Sequence, residues 1–390
     1  MSIESPLRVA VWGPGPMGLI ALRSVIDEPG LELTRLIVHS DAKAGRDAGA
    51  LCGIDHVGVV ATQDAYAALG NDVDVVVYTC SGNTRIQEAL DDMALALRAG
   101  KDVVSVAFAP LVYADGLPED LIAPLRQACV EGNSSLFTTG IDPGFASSLI
   151  PLMLTGTART ITQIRISEIL NYGTYPGTEA LMLFGLGEAP YYPAFALAPG
   201  LLSFIWGPTL HEIADGIGVT IDRFEENLER TVTEEEFATS TITVPAGHVA
   251  GVRFSVIGYV DDQPMLQLHH VTRLRDDARP DWPQFQVDLP PKDFGHRGVS
   301  SQGGYRIEID GTPMIRCNLE MAHGTGQGPT HDHEFGLRLA GITYMVNAIP
   351  AVHAAPPGIL SSIDLPLITG KGHARADYGP IPDTRTVDAH

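Results

Sequence analysis

The stretch RVAVWGPGPMG at residues 8–18 constrains the fold more than any other part of the chain. A short apolar strand runs into three glycines with the GxGxxG spacing, and a helical pattern follows at once. In that context the glycines allow a tight turn, close approach of a pyrophosphate, and close packing of the helix on the strand. An ordinary strand–helix turn is the alternative. We predict a dinucleotide site formed by Gly13, Gly15, Pro16, Met17 and Gly18.

Strands and helices alternate through the first 146 residues. Helical patterns separate a series of apolar strand patterns, and this alternation is typical of a doubly wound parallel sheet. We therefore predict an α/β protein in which residues 1–146 form an N-terminal Rossmann domain. The strands after the glycine turn are predicted at residues 31–40, 56–62, 72–80, 101–108 and 134–140.

The end of the second strand bears on the choice of cofactor. Sites that prefer NAD usually place Asp or Glu there to bind the ribose hydroxyls, whereas this strand ends in His39 and Ser40. Ser40, Lys43 and Arg46 are suited to a 2′-phosphate, which favours NADP(H). Asp41 keeps NAD(H) as an alternative, and the two cations have a second interpretation as a solvated helix face. His39 is also among the predicted cofactor contacts.

The carboxyl ends of two later strands are expected at the same site, because ligands of such sheets bind beyond those ends. Thr79, Cys80 and Ser81 follow one strand and are predicted to contact the cofactor. Ala107, at the end of the next strand, is predicted to contact it too. The segment that follows is expected to line a substrate pocket with Phe108, Ala109 and Pro110.

The middle of the chain has a different pattern. Strand signals separated by Asp-Asp and Asp-Gly turn signals predict a mainly antiparallel open sheet. Residues 178–232 are predicted to be helical. Together these features indicate a second, α+β domain over residues 147–332. Its strand signals lie at residues 161–170, 240–247, 251–260, 263–274 and 304–322.

The C-terminal segment begins with an apolar helical pattern at residues 333–359, which is broken at Pro350. We expect residues 333–370 to return to the first domain, where Asn347 would contact the cofactor. Residues 371–390 are polar and are predicted to form a loosely held tail.

The composition restricts the class of partner. A formal net charge of −22 argues against a nucleic acid or an anionic membrane surface, because both bind basic patches. No apolar run reaches the ~20 residues of a membrane-spanning helix, and the N-terminus lacks a signal-peptide pattern. The four cysteines have no paired spacing and are expected to be reduced thiols. These features predict a cytoplasmic protein with a small-molecule partner.

Five stretches between residues 8 and 370 carry a family resemblance: RVAVWGPGPMG, TTGIDPGF, VAGVRFSVIGYV, YRIEIDGTPMIRCNLE and VNAIPAVHAAPPGILSSIDLPLITG. In these stretches the chain resembles the dihydrodipicolinate-reductase-like oxidoreductases that include 2,4-diaminopentanoate dehydrogenase and the native amine dehydrogenases. The resemblance implies NAD(P)H-dependent reductive amination of a small carbonyl compound, or oxidative deamination of the amine in reverse. It also implies a homodimer in which residues 147–332 bind the substrate and support the dimer.

One position departs from the pattern of that family. Amine-dehydrogenase relatives carry Glu-Glu-Leu after the fifth strand, before a Tyr, and a glutamate there is thought to bind the amine and move its protons. In this chain the pair aligns with Ala109 and Pro110, and Leu111 and Tyr113 match its flanks. Two alternatives therefore stay open: reduction of a C=O or C=N bond without ammonia, and a non-catalytic dinucleotide sensor.

An amine or carbonyl reaction needs a proton donor or acceptor near the reacting carbon. We predict Glu168, Tyr172 and Tyr175 as catalytic candidates. The alternative for Glu168 is an exposed or ion-paired carboxylate, and the alternative for the tyrosines is packing. A turn-forming role is favoured for Asp142 in its Asp-Pro-Gly sequence. The further predicted pocket residues are Asp142, Phe145, Met182, Phe184 and His323.

Two groups of histidines raise the question of a metal. Ligands of one ion must converge at ~2.0–2.2 Å from it. The first group lies before and at the start of the C-terminal helical pattern, and a loop before a helix is its favoured interpretation. The neighbours His269 and His270 lie in a strand, so their side chains point to opposite faces. We therefore predict no metal. The first group consists of His323, His331, Asp332, His333 and Glu334.

Overall fold

The computed structural model describes residues 5–82, 85–285, 303–321 and 333–374. The chain divides into two compact units, one with the residues up to Gly140 and from Gly341 onward, the other with Ile141–Ala340. The first unit contains a seven-stranded sheet, and the second contains a six-stranded sheet and a short two-stranded one.

The regular elements are as follows. The strands are β1 (Leu7–Trp12), β2 (Leu31–Ile37), β3 (Ala61–Thr62), β4 (Val75–Tyr78), β5 (Asp102–Ser105), β6 (Ser135–Thr138), β7 (Thr160–Asn171), β8 (Arg223–Val232), β9 (Phe237–Ala238), β10 (Thr243–Val244), β11 (Val249–Val260), β12 (Gln263–Arg273), β13 (Gly303–Thr312), β14 (Ile315–Leu319) and β15 (Gly358–Leu360). The helices are α1 (Pro16–Asp27), α2 (Ala48–Leu51), α3 (Ala65–Ala68), α4 (Ile86–Arg98), α5 (Glu119–Gly132), α6 (Ile150–Thr155), α7 (Thr178–Phe184), α8 (Leu201–Ile217), α9 (His333–Asn347) and α10 (Ile349–Ala354). Ala109–Gly116 and Phe195–Leu197 form 3₁₀ helices, and Phe145–Leu149 forms a π-helical turn.

The seven-stranded sheet is parallel throughout, in the order β15-β6-β5-β4-β1-β2-β3. Strands β4 and β5 are buried along their whole length, as expected when helices cover both faces of a parallel sheet. The predicted doubly wound parallel sheet is therefore confirmed. Its carboxyl edge brings the turns after β1, β4 and β5 to one side.

The C-terminal segment differs from its prediction. Helix α9 ends at Asn347, and α10 begins at Ile349 with Pro350 in its first turn, where the missing N–H is not needed. The prediction of helix is wrong at residues 358 and 359, which belong to β15 and pair with β6. The stretch His333–Ala354 is long and apolar enough to span a membrane. However, 67% of its most apolar 18-residue part is buried within the protein, as in a core helix.

The six-stranded sheet of the second unit has the order β14-β13-β7-β12-β11-β8. All its neighbours are antiparallel except β12 and β7, which run parallel. The mainly antiparallel sheet is confirmed. Its buried core joins the sheet to α8: Trp206 and Leu210 of α8 belong to the same buried cluster as Ile166, Phe254 and Leu268 of the sheet.

The region predicted as helical, residues 178–232, contains α7 and α8, but most residues between these helices are not helical. The prediction is also wrong at its C-terminal end, where residues 223–232 form the edge strand β8. Charged residues in this segment have helix-like spacing, but an edge strand needs only one half-buried face. Phe224 and Leu228 lie on that face, together with Glu226. The Glu226 carboxylate accepts hydrogen bonds from the backbone N–H groups of Gly200 and Ser203 at the start of α8.

Of the two predicted turns, the structure contains the one at Asp-Asp but not the one at Asp-Gly. Asp261 and Asp262 both have positive φ angles, 50° and 59°, and close the hairpin between β11 and β12 as predicted. Gly311, in contrast, lies inside β13 at a shift in its pairing with β7. The chain turns at residues 313–314 instead.

Candidate active site

The glycine turn of the first unit has the features that a pyrophosphate requires. Gly13 has a φ of 91°, and a Cβ atom there would lie 2.4 Å from Cys80 Sγ. A Cβ on Gly18 would lie 2.1 Å from the Gly13 carbonyl oxygen, whereas a Cβ on Gly15 would meet nothing within 4 Å. Backbone at Gly15 is thus open to approach. Pro16 and Met17 begin α1 directly beside it.

The residues after β2 lie in a turn rather than on a helix face. Lys43 Nζ donates a 2.8 Å hydrogen bond to the carbonyl of Pro14, so its side chain crosses the glycine turn. Burial, and next the charge of Arg46, lower the pKa of Lys43. His39, Ser40 and Arg46 are exposed around it.

Two further segments of the first unit carry predicted cofactor contacts. The Thr79 hydroxyl donates to the Gly13 carbonyl at 2.8 Å, and burial raises the pKa of the neighbouring Cys80 thiol to about 11. Ser81 follows in an irregular segment. Ala107 is buried, with its N–H donating to Ser105 Oγ. Asn347, the last residue of α9, is half-buried.

The segment that follows β5 has no carboxylate at residues 108–110. Phe108 is buried with a left-handed backbone, φ 53° and ψ 73°. Ala109 and buried Pro110 then open the 3₁₀ helix Ala109–Gly116. These three side chains hold no group that exchanges protons, so any acid or base of the site lies elsewhere.

A row of side chains crosses the six-stranded sheet of the second unit. In β7, Glu168 is paired in register with His270 of β12 on one side and with Tyr305 of β13 on the other. Phe254 of β11 is in register with His270 and stacks on its ring, with centroids 4.5 Å apart. The indole of Trp206, from α8, meets the same imidazole edge-on at 5.1 Å. Residues far apart in sequence are therefore brought onto one face.

Asp142, Glu168 and His270 form what we call the carboxylate–histidine cluster. His270 Nε2 lies 2.8 Å from Asp142 Oδ2, and His270 Nδ1 lies 3.3 Å from Glu168 Oε1. The Tyr172 hydroxyl donates to Glu168 Oε1 at 3.0 Å, and the Tyr305 hydroxyl donates to Oε2. The three cluster side chains are only 2–6% exposed.

The contacts of His270 favour a charged imidazole ring. Both nitrogens of His270 face carboxylate oxygens, which only accept, so a doubly protonated imidazolium satisfies both contacts. Burial acts to lower the pKa of His270, but the charges of Glu168 and Asp142 outweigh it and raise that pKa. Burial acts to raise the pKa of Glu168, but His270 and the hydrogen bonds from the two tyrosines outweigh it and lower that pKa. One imidazolium and two carboxylates leave a net charge of about −1.

The same three residues carry donor atoms that suit a metal, and one such atom from each lies within 4.8 Å of the others. The contacts have the lengths of hydrogen bonds, however, and the two carboxylates face different nitrogens of one ring. We interpret the cluster as a proton-sharing network. In the first histidine group, His333 begins α9 and is buried, with Nε2 3.5 Å from Glu320. His323, His331 and Asp332 lie outside the described ranges.

A short segment before α6 places Asp142. The Oδ2 atom of Asp142 accepts a 3.3 Å hydrogen bond from the indole N–H of Trp206. Further along, the Ser148 hydroxyl donates to the carboxylate of Glu212, and both side chains are fully buried. Two residues of α8 thus hold the segment, and the side chain of Asp142 has a charged partner in addition to its position in a turn.

Tyr175 lies one layer further from Glu168. Its ring stacks on Tyr172 with centroids 5.0 Å apart and an interplanar angle of 14°. The guanidinium carbon of Arg338 lies 5.9 Å from the Tyr175 ring, and Arg338 is itself paired with Glu334. Through Tyr172, this stack supports the hydroxyl that reaches Glu168.

The predicted pocket residues of the second unit are dispersed. Phe184 is buried and stacks on Phe254, with centroids 5.3 Å apart. Phe145 opens the π-helical turn, and Met182 is 52% exposed. His323 lies outside the described residues.

Comparison with known proteins agrees with this architecture. Residues 7–106 match the model of the N-terminal part of dihydrodipicolinate reductase, and residues 145–280 match that of the C-terminal domain of 2,4-diaminopentanoate dehydrogenase. An amine dehydrogenase of Streptomyces virginiae is 35% identical over 364 residues, which are 93% of this chain and 96% of that protein. The 2,4-diaminopentanoate dehydrogenase of Acetoanaerobium sticklandii is 24% identical over 379 residues, 93% of this chain and 94% of its own.

A solved structure shows the same fold. The amine dehydrogenase from Mycobacterium smegmatis superposes with a TM-score of 0.75 at 20% identity, covering 94% of this chain and 98% of its own. The glycine turn, the sheet order and these matches identify an oxidoreductase that uses a nicotinamide dinucleotide and a small-molecule substrate. The chain belongs to the amine dehydrogenase and 2,4-diaminopentanoate dehydrogenase family of NAD(P)-dependent enzymes.

Proposed function

We propose that the chain catalyses the reductive amination of a small, mostly apolar carbonyl compound, and the oxidative deamination of the amine in reverse. In the forward direction, the carbonyl compound, ammonium, NAD(P)H and one proton give the alkylammonium, NAD(P)⁺ and water. The observation that supports this proposal is the buried carboxylate–histidine cluster of the second unit, which offers a proton and negative charge of the kind that this reaction uses.

The cluster suits the proton transfers of this reaction. The carbinolamine formed from ammonia and the carbonyl must lose its hydroxyl as water, which takes up one proton. His270 carries that proton, and Glu168 and Asp142 stabilise its charge on either side. The net negative charge then favours the iminium cation that remains. The cofactor supplies the hydride that reduces it.

An assay of ammonium dependence tests this function. With purified protein, NADPH and a panel of aliphatic ketones and aldehydes, we expect oxidation of NADPH only when ammonium is present, with the amine as the product in chromatography. Oxidation at the same rate without ammonium, with an alcohol as product, would instead establish a carbonyl reductase. Cofactor binding without turnover on any of these compounds would establish a non-catalytic sensor.

We further propose that NADP(H) is preferred over NAD(H). Lys43 lies across the glycine turn, Arg46 and Ser40 are exposed beside it, and the carboxylate of Asp41 already accepts a hydrogen bond from Gln63. A lysine and an arginine at the end of β2 provide charge-assisted donors for a 2′-phosphate.

Replacement of Lys43 by Ala tests the preference. We expect the KM for NADPH to rise about tenfold, the loss of one hydrogen bond to a charged group, with the KM for NADH unchanged. The exposed Lys371→Ala is the matched control, since it removes the same charge from the same unit. Equal effects on both cofactors would show that Lys43 only supports the glycine turn.

The homodimer and the cytoplasmic location implied by the resemblance and the composition remain proposals. Light scattering of the purified protein would measure the first, against a chain mass of 41.6 kDa. Fractionation of cells would measure the second.

A further inference from the structure

One oxygen of the carboxylate–histidine cluster differs from all its other polar atoms. Asp142 Oδ1 is buried and has no hydrogen-bond partner among the described residues. Its sister atom Oδ2 contacts His270 Nε2 and accepts from the Trp206 indole. The oxygens of Glu168 are also engaged, Oε1 by Tyr172 and His270, and Oε2 by Tyr305.

An unpaired buried carboxylate oxygen is costly, because it has lost water and gained no donor. The surrounding charge makes the missing donor a cation. His270 is the only positive charge within the cluster, and two carboxylates surround it, so about one negative charge is left over.

We propose that Asp142 Oδ1 binds the nitrogen of the substrate, as ammonium in the amination direction and as the protonated primary amine in the reverse. The inference rests on the proposed function and names the contact that places the nitrogen. An N–H of the cation donates to Oδ1, while Oδ2 stays bonded to His270 and Trp206. Recognition therefore requires both a positive charge and an N–H group.

This requirement separates the proposal from simple attraction of a cation. n-Butylammonium has three N–H donors, whereas tetramethylammonium has the same charge and none. Isothermal titration calorimetry of the NADPH-bound enzyme with each of the two ammonium ions measures their binding. No turnover occurs in this experiment, because the cofactor and the amine are both in their reduced forms. We expect n-butylammonium to bind and tetramethylammonium to bind at least tenfold more weakly.

Asp142→Asn tests the residue itself. The amide keeps the size of the side chain and removes its charge, and we expect the Kd for n-butylammonium to rise about 10- to 100-fold, the range for a hydrogen bond to a charged group. Asp310→Asn is the matched control, since Asp310 is paired with Arg165 in the same unit. The comparison of the two ammonium ions on the unmodified enzyme remains decisive if the Asn variant fails to fold.

Three results would overturn the inference: equal affinity for the two ammonium ions, unchanged affinity in Asp142→Asn, or a stoichiometric divalent metal in the purified protein. Its failure is distinguishable from failure of the proposed function. Ammonium-dependent turnover without these binding effects would place the nitrogen at another acceptor. Binding as described, without turnover, would keep the nitrogen site and remove the reaction.

Discussion

His270→Gln is expected to lower kcat/KM for ammonium-dependent turnover by about a thousandfold, within the range for loss of a general acid or base. It is also expected to lower the free energy of unfolding by about 3–5 kcal/mol, the cost of removing one partner from a buried ion pair. Both effects have one cause: without the imidazolium, Asp142 and Glu168 are buried with no counter-charge between them.

The stability effect has a defined dependence on pH. The pKa of His270 is raised in the folded protein, so its contribution is fully present below the ordinary histidine pKa of ~6.5 and is lost as the pH rises through the raised value. The difference in stability between the native protein and His270→Gln should therefore narrow in alkaline solution. Urea unfolding followed at several pH values measures it.

His269→Gln is the matched control for this experiment. His269 is the adjacent residue of β12, points to the other face, and hydrogen-bonds Gln267. Burial, and next the charge of Arg253, lower its pKa to about 4, so the ring is neutral at pH 7. We expect less than about a threefold change in kcat/KM for this control. Equal losses in the two variants would indicate general damage to the sheet and contradict the role of His270.

Glu168→Gln is expected to lower kcat about a hundredfold while the KM for NADPH stays within about twofold. The carboxylate accepts hydrogen bonds from two tyrosines and contacts the imidazolium, and the amide replaces one of its acceptor oxygens with a donor. One of the groups that donate to Glu168, a tyrosine hydroxyl or the imidazolium N–H, then faces an amide N–H instead of an acceptor oxygen.

The pH profile of Glu168→Gln distinguishes a chemical role from a structural one. Glu168 is the first of the charges that raise the pKa of His270, so its removal lowers that pKa. Amination needs the imidazolium, so the alkaline limb of its pH profile should move to lower pH. Glu308→Gln, the same change on the opposite face of the sheet, should leave the profile in place. A slower enzyme with an unmoved profile would restrict Glu168 to a packing role.

Much of the first unit could be predicted because its signals are local. The glycine spacing and the strand–helix alternation each lie within a short stretch, and both predict the parallel sheet that the structure contains. Glu168 and Tyr172 could also be named as candidates, since an amine or carbonyl reaction needs side chains that exchange protons. The short strand β15 was not, because three residues carry no periodicity.

The cluster itself was not accessible from sequence, because the pairing of strands creates it. His270 and Tyr305 become neighbours of Glu168 only through the registers of β12 and β13 with β7. A shift of one residue in either register would turn the partner to the other face. The identity of Trp206 as a donor to Asp142 likewise depends on how α8 packs, which no local pattern encodes.

The parallel pairing of β7 with β12 has a consequence for how the enzyme matures. In the chain, β7 precedes α7, α8 and the antiparallel pair of β8 and β11. Its parallel partner β12 is nevertheless synthesised after all of them. The chain must close a long loop before Glu168 and His270 meet, and such distant contacts form slowly. During synthesis, strands β1 to β6 are therefore complete while the residues of the carboxylate–histidine cluster are still apart, and β15 joins that sheet later still. A nascent chain that ends before β12 contains the glycine turn but lacks His270, and therefore lacks the cluster.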